Sequence, residues 1–169
     1  MATTGVQLRR LESPDELGPA ATLAREFGDW ATAHLKAEHG IEIAAELDHP
    51  PEVLDTLLES GRLYVAELDG EAVGVGGLKL HGEEVAEIKR MYVRPSARGL
   101  GVGRVIVEQL IADARELGCR TVVLESASFM HAAHALYGSV GFVPADSYAG
   151  REFEDFDHDG VVFMRLDLT

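Results

Sequence analysis

Arg98-Gly99-Leu100-Gly101-Val102-Gly103-Arg104 places a glycine at every second position between two arginines. The residues before it alternate as a strand. Those after it, to Leu117, repeat with the spacing of a helix that Gly118 closes. A chain that must stop a strand, form a tight loop and launch a helix within seven residues has few folds open to it. Glycines clear the loop of side chains, so its backbone N–H groups are free to converge. The helix that follows points its positive end at the same place. Residues 88–107 hold five basic residues (Lys89, Arg90, Arg94, Arg98, Arg104) and no acidic one, in a chain of net charge −14. That positive island fits an anion carrying several phosphates.

Two familiar phosphate loops fail on spacing. A Walker-type loop requires Gly-Lys-Ser/Thr, and Arg104-Val105 stands there. A dinucleotide fingerprint needs its third glycine three positions after the second, which is again Arg104. A merely flexible loop is the plain alternative, and it leaves the two arginines without a purpose.

The rest of the chain reads as an α/β domain with a mixed sheet. Val6 to Leu11 alternates as a first strand. Ser13-Pro14-Asp15-Glu16 is a helix start, with Ser13 as cap and Glu16 completing a capping box. The helical pattern continues to about Ala37 through Leu23, Phe27, Trp30 and His34, with a break expected at Gly18-Pro19 or Gly28. Residues 38–51 read as irregular, and Pro50-Pro51 opens a short helix ending at Ser60-Gly61. Arg62 to Leu68 and Glu71 to Leu80 form a hairpin about Asp69-Gly70. Gly74, Gly76 and Gly77 leave its second strand thin, so a neighbour should pack close to the backbone. A turn at His81-Gly82 leads into a third antiparallel strand, Glu84 to Val93. Beyond the helix from Val102, the buried-type strand Arg120 to Glu125 completes a parallel crossover. A helix over 130–139 and strands at Phe142-Val143 and Val161 to Leu168 finish the chain.

The length of 169 residues suits one domain over residues 1–169, and 46% apolar residues suffice for a core. No apolar run reaches the ~18 residues of a membrane helix, and no signal peptide opens the chain. Cys119 is the only cysteine, which excludes an internal disulfide and points to the cytoplasm. A pI near 4.8 argues against nucleic-acid or anionic-membrane partners.

Arg98 to Gly103 resembles the pyrophosphate signature of the GNAT superfamily of acetyl-CoA-dependent N-acetyltransferases. Glu87-Ile88-Lys89-Arg90-Met91-Tyr92-Val93-Arg94-Pro95 resembles that family's fourth strand, and Ala135-Leu136-Tyr137-Gly138-Ser139-Val140-Gly141-Phe142 its Leu-Tyr…Gly-Phe block. The order and separations agree from about residue 62 to 168. The resemblance implies a mostly antiparallel mixed sheet of six to seven strands flanked by helices. It also implies transfer of acetyl from acetyl-CoA to an amine, with a small-molecule acceptor, no metal and a possible homodimer. A CoA-binding sensor and a protein acetyltransferase are the alternatives on the same fold. By the same resemblance, backbone groups of Met91, Tyr92 and Val93 bond the pantetheine arm. Arg98, Gly99, Leu100, Gly101, Val102, Gly103 and Arg104 hold the diphosphate. Glu87 takes a proton from the amine, and Tyr137 gives one to the thiolate. For Glu87 the plain alternative is a solvent-facing residue or an ion pair with Arg90; for Tyr137 it is core packing. Many relatives place an asparagine against the pantetheine near residue 128, where this chain has only Ser126 and Ser128. The first helices wall the acceptor site in this family, which makes Trp30 and His34 acceptor candidates. Asp155, in the acidic run Glu152 to Asp159, is expected to draw in a cationic amine. His131 and His134 lack a third ligand nearby, so zinc is not expected. Asp155 to Gly160 starts like a calcium loop, but its twelfth position is Leu166.

Overall fold

The computed structural model describes residues 5–40, 51–146 and 161–168. The elements are β1 (Val6–Arg10), a 3₁₀ turn (Pro14–Glu16), α1 (Gly18–His39), α2 (Pro51–Ser60), β2 (Arg62–Leu68), β3 (Glu71–His81) and β4 (Val85–Val93). After a second 3₁₀ turn (Pro95–Ala97) come α3 (Val102–Glu116), β5 (Thr121–Ala127), α4 (His131–Ser139), β6 (Val143–Ala145) and β7 (Val161–Asp167). The seven strands form one sheet in the order β1-β2-β3-β4-β5-β7-β6. Only β4 and β5 run parallel, as the intervening helix requires.

Local signals built these elements largely as the residues dictate. The Glu16 side chain accepts the backbone N–H of Ser13 at 3.1 Å, so the capping box forms. It caps only the 3₁₀ turn, however. The break falls at Leu17, ahead of Gly18, and α1 then runs through Gly28 without interruption. One helical glycine costs only about 1 kcal/mol, less than the apolar stripe of α1 recovers by burial. Leu23, Ala24 and Ala31 of that stripe are buried. At the β2–β3 turn both Asp69 (φ 51°) and Gly70 (φ 81°) are left-handed, the geometry that matches strand twist in a two-residue hairpin.

Two apolar layers sandwich the sheet. On one face α3 brings Val102, Ile106, Val107 and Leu110 against Leu78, Ala86, Ile88, Val122 and Leu124. On the other, Leu23 of α1 and Leu54 and Leu57 of α2 cover Leu63, Val65, Val75 and Tyr92. The thin strand β3 lets both layers approach. A Cβ on Gly76 would lie 2.5 Å from the Ile106 side chain, and one on Gly77 2.6 Å from Leu57.

Two irregularities position everything that follows. Pairing between β4 and β5 ends at Glu87↔Val123, although β4 continues to Val93 and β5 to Ala127. Each arm keeps its outer partner, β3 for one and β7 for the other. The inner edges therefore diverge, and beyond that pair no described strand lies between them. The second irregularity is a bulge. Gly77 pairs Lys89 and Val75 pairs Tyr92, so β4 has one residue more than β3, and Arg90 takes a φ of 57° there. The extra residue resets the alternation of side chains. Met91 and Val93 join Ile88 on the α3 face, while Tyr92 turns to the α1 face.

Candidate active site

A cavity of about 500 Å³ opens where β4 and β5 part. Met91, Tyr92 and Val93 line one wall, Ala97 to Gly99 and Gly101 to Arg104 the floor, and Phe129 to Ala133 with Leu136 and Tyr137 the opposite wall. Of the expected cofactor residues, Met91, Tyr92, Val93, Arg98, Gly99, Gly101, Val102, Gly103 and Arg104 all border it. Leu100 is absent from the lining and is 54% exposed.

The glycines in the loop differ in their reasons. Gly99 (φ 82°) and Gly101 (φ 85°) are left-handed, a conformation that side chains resist. Gly101 caps α3, which turns the first helical N–H groups toward the cavity. Gly103 lies inside the helix, where a Cβ would sit 3.0 Å from Leu136 of α4. It keeps the two walls close rather than bending the loop.

The arginines around the cavity differ as well. Arg94 makes a bidentate pair with Glu26 of α1 (Nε 3.0 Å, Nη2 2.7 Å) and reaches Glu71 at 3.1 Å. Its charge is spent on fastening α1 to the end of β4. Arg104 donates to Ser139 Oγ at 2.6 Å and lies 3.5 Å from Glu108. Arg98 donates its Nε–H to the Val93 carbonyl at 3.0 Å and faces no carboxylate among the described residues.

Tyr137 is buried on α4 and lines the cavity, with its ring 5.7 Å from Phe142. Burial pushes its phenol well above the ordinary range, so it is protonated at neutral pH. Glu87 is fully buried, which disposes of the solvent-facing alternative. It stands at the last β4–β5 pair and projects opposite to Ala86 and Ile88, into the layer covered by α1 and α2. Its Oε1 accepts from His81 Nε2 at 2.7 Å, and its Oε2 lies 3.6 Å from Lys89 Nζ. These contacts offset the cost of burying a carboxylate. Glu87 does not border the cavity itself.

Trp30 does border it, on the side where α1 crosses the gap. Its ring meets Phe129 edge-on at 5.4 Å and His34 at 4.6 Å, and His34 stacks on Phe129 at 5.1 Å. The Trp30 carbonyl only accepts, so His34 Nδ1 donates to it at 3.0 Å and Nε2 carries the lone pair of the neutral ring. Neither Ser126 nor Ser128, the two serines standing where relatives carry the asparagine, borders the cavity, and Ser126 donates to Met130 Sδ at 3.6 Å. Met130 and His131 line the wall instead. Nothing in the sequence marked Phe129 or Met130, because neither belongs to a periodic pattern. Asp155 and its acidic neighbours lie outside the described residues.

Residues 23–142 match the model of the acetyltransferase (GNAT) family. The chain is 32% identical over 148 residues to the uncharacterised N-acetyltransferase YjgM of Escherichia coli, with 85% of each chain covered. A putative acyl-CoA N-acyltransferase from Klebsiella pneumoniae shares the fold with a TM-score of 0.73, at 24% identity over 99% of this chain and 100% of that one. A GNAT family acetyltransferase from Elizabethkingia anophelis, solved with acetyl-CoA bound, has a TM-score of 0.64 at 17% identity, over 98% and 99% of the two chains. Among the described residues no helix is long and apolar enough to cross a membrane. The chain belongs to the GNAT family of acetyl-CoA-dependent N-acetyltransferases.

Proposed function

We propose that the protein acetylates the amine of a small molecule. The observation that carries this reading is the complete burial of Glu87, whose carboxylate meets His81 and Lys89 inside the fold. A base so enclosed suits an acceptor that enters a pocket; an extended peptide needs an open groove. Acetyl-CoA fits the cavity by its chemistry. The N–H groups at the head of α3, with Arg98 and Arg104, suit a diphosphate, and the free edge of β4 at Met91, Tyr92 and Val93 suits the amides of pantetheine.

The reaction forms a C–N bond and breaks a C–S bond. An alkyl amine is mostly protonated at pH 7, given a pKa of ~10.4, and attacks only as the neutral species. Glu87, directly or through water, receives the proton that the nitrogen loses. Tyr137, on the cavity wall, supplies its O–H proton to the departing thiolate. His81 holds Oε1 of Glu87 at 2.7 Å, and Lys89 lies 3.6 Å from Oε2. His34 and Asp155 remain the acceptor-side candidates.

A panel of small amines, amino acids and peptides, monitored by thiol release from acetyl-CoA, tests the reading. Faster turnover of peptides than of any small amine would move the acceptor class to proteins. Tight CoA binding without release for any amine would leave a non-catalytic sensor.

A further inference from the structure

We infer that Trp30, a residue of the first helix, is part of the diphosphate site: it is the platform that presents Arg98 to the anion. The inference rests on residues 98–104 being the cradle for coenzyme A. The guanidinium carbon of Arg98 lies 5.0 Å from the Trp30 ring centroid and 6.0 Å from that of Tyr92. Both distances are within the reach of a cation–π attraction. Its Nε–H is held by the Val93 carbonyl at 3.0 Å. A guanidinium has five N–H donors, and the other four have no hydrogen-bond partner among the described residues.

The neighbouring arginines make the contrast. In a chain of net charge −14, Arg94 is neutralised by Glu26 and Glu71, and Arg104 lies beside Glu108. Arg98 alone of the three is held by a ring face and a carbonyl. An ion pair would fix a guanidinium and cancel its charge. An aromatic face fixes it and leaves the charge for a ligand. The platform is itself braced: Phe27 lies 6.3 Å from Trp30, His34 4.6 Å, and Phe129 meets it edge-on at 5.4 Å. Arg98 is thus ordered before the anion arrives, which reduces the entropy lost on binding.

Calorimetric titration of coenzyme A, and separately of ADP, into the purified protein tests this with a double-mutant cycle. Trp30→Leu should weaken both ligands about tenfold and Arg98→Met about thirtyfold, with the double variant no weaker than Arg98→Met within about twofold. Trp30→Phe keeps a ring and should stay within about threefold of wild type, which guards against a variant that folds badly. Trp30 is the only tryptophan. Its emission should therefore shift when ADP binds the wild type, and not when ADP saturates Arg98→Met. Multiplying factors in the double variant would overturn the inference. So would a loss confined to coenzyme A with ADP unaffected, since the ring would then only wall the pantetheine slot. No heat with either ligand in the wild type would instead remove the cradle reading on which the inference stands.

Discussion

The two sides of β4 are the same nine residues seen from opposite directions, and they have little else in common. Toward α3 the strand presents Ala86 and Ile88, sealed into a dry layer with Ile106 and Leu110. Toward α1 and α2 it presents Glu87 and Lys89, buried charges one strand step apart and 3.6 Å from each other. Alternation along a strand makes this division possible without any extra element. The apolar side holds the sheet to the helix that follows the glycine loop. The charged side holds the group assigned to move a proton. Stability and the proton-accepting role are therefore separable by mutation around this strand.

Glu87→Gln should have the largest effect. A kcat lower by ~10²–10⁴-fold, with coenzyme A affinity unchanged by calorimetry, is the expected result for a lost general base. A kcat within threefold of wild type would make the charged side structural. Tyr137→Phe should follow, lowering kcat by about 10²-fold and leaving the affinity for acetyl-CoA alone. Equal losses in both would reduce the tyrosine to a packing residue. On the apolar side, Gly76→Val forces a side chain into Ile106 and should cost ~1–3 kcal/mol. At this size each kcal/mol lowers Tm by about 2–4 °C, measurable by calorimetry, while kcat at 20 °C stays near wild type. If kcat collapsed before the fold did, the two sides would not be separable.

His81 sharpens the comparison further. His81→Leu deletes the donor to Oε1 and should lower kcat about tenfold with an unchanged KM for acetyl-CoA, whereas His81→Gln keeps an N–H there and should recover most of it. Identical kcat for the two variants would mean that the contact does not orient the base. The smallest effect belongs to His134, whose pKa is lowered by burial and then by His131. Its folded pKa lies below the ordinary 6.5, so the unfolded chain binds the proton more readily. Stability is present above pH ~6.5 and declines as the pH falls below it. Between pH 7.5 and 5.5 the wild type should lose more Tm than His134→Gln does, and equal losses would place the pH sensitivity elsewhere.

Much of this was legible in the chain itself wherever the governing physics is local. The Asp69-Gly70 hairpin, the Ser13 capping box and the left-handed Gly99 and Gly101 follow from a few adjacent residues. The close packing over β3 could be anticipated from three glycines, though not the identity of Ile106 and Leu57 as the groups that need the space. The site was less legible. Trp30 was read with the acceptor, and only the crossing of α1 over the gap brings it to the wall of the cavity. His81 and Glu87 are six residues apart on different strands, and it is the hairpin register that sets them 2.7 Å from each other.

The sequence by itself determined the turns, the caps, the glycine cradle and, through two spaced motifs, the family, because each depends on contacts within a few residues. Tertiary structure decided where β4 and β5 part, which side of the sheet Tyr92 faces, and which arginine meets no carboxylate among the described residues. Those outcomes depend on register, on one extra residue at Arg90 and on helices packed from both sides, which are properties of pairs of segments far apart in the chain. No local pattern encodes them.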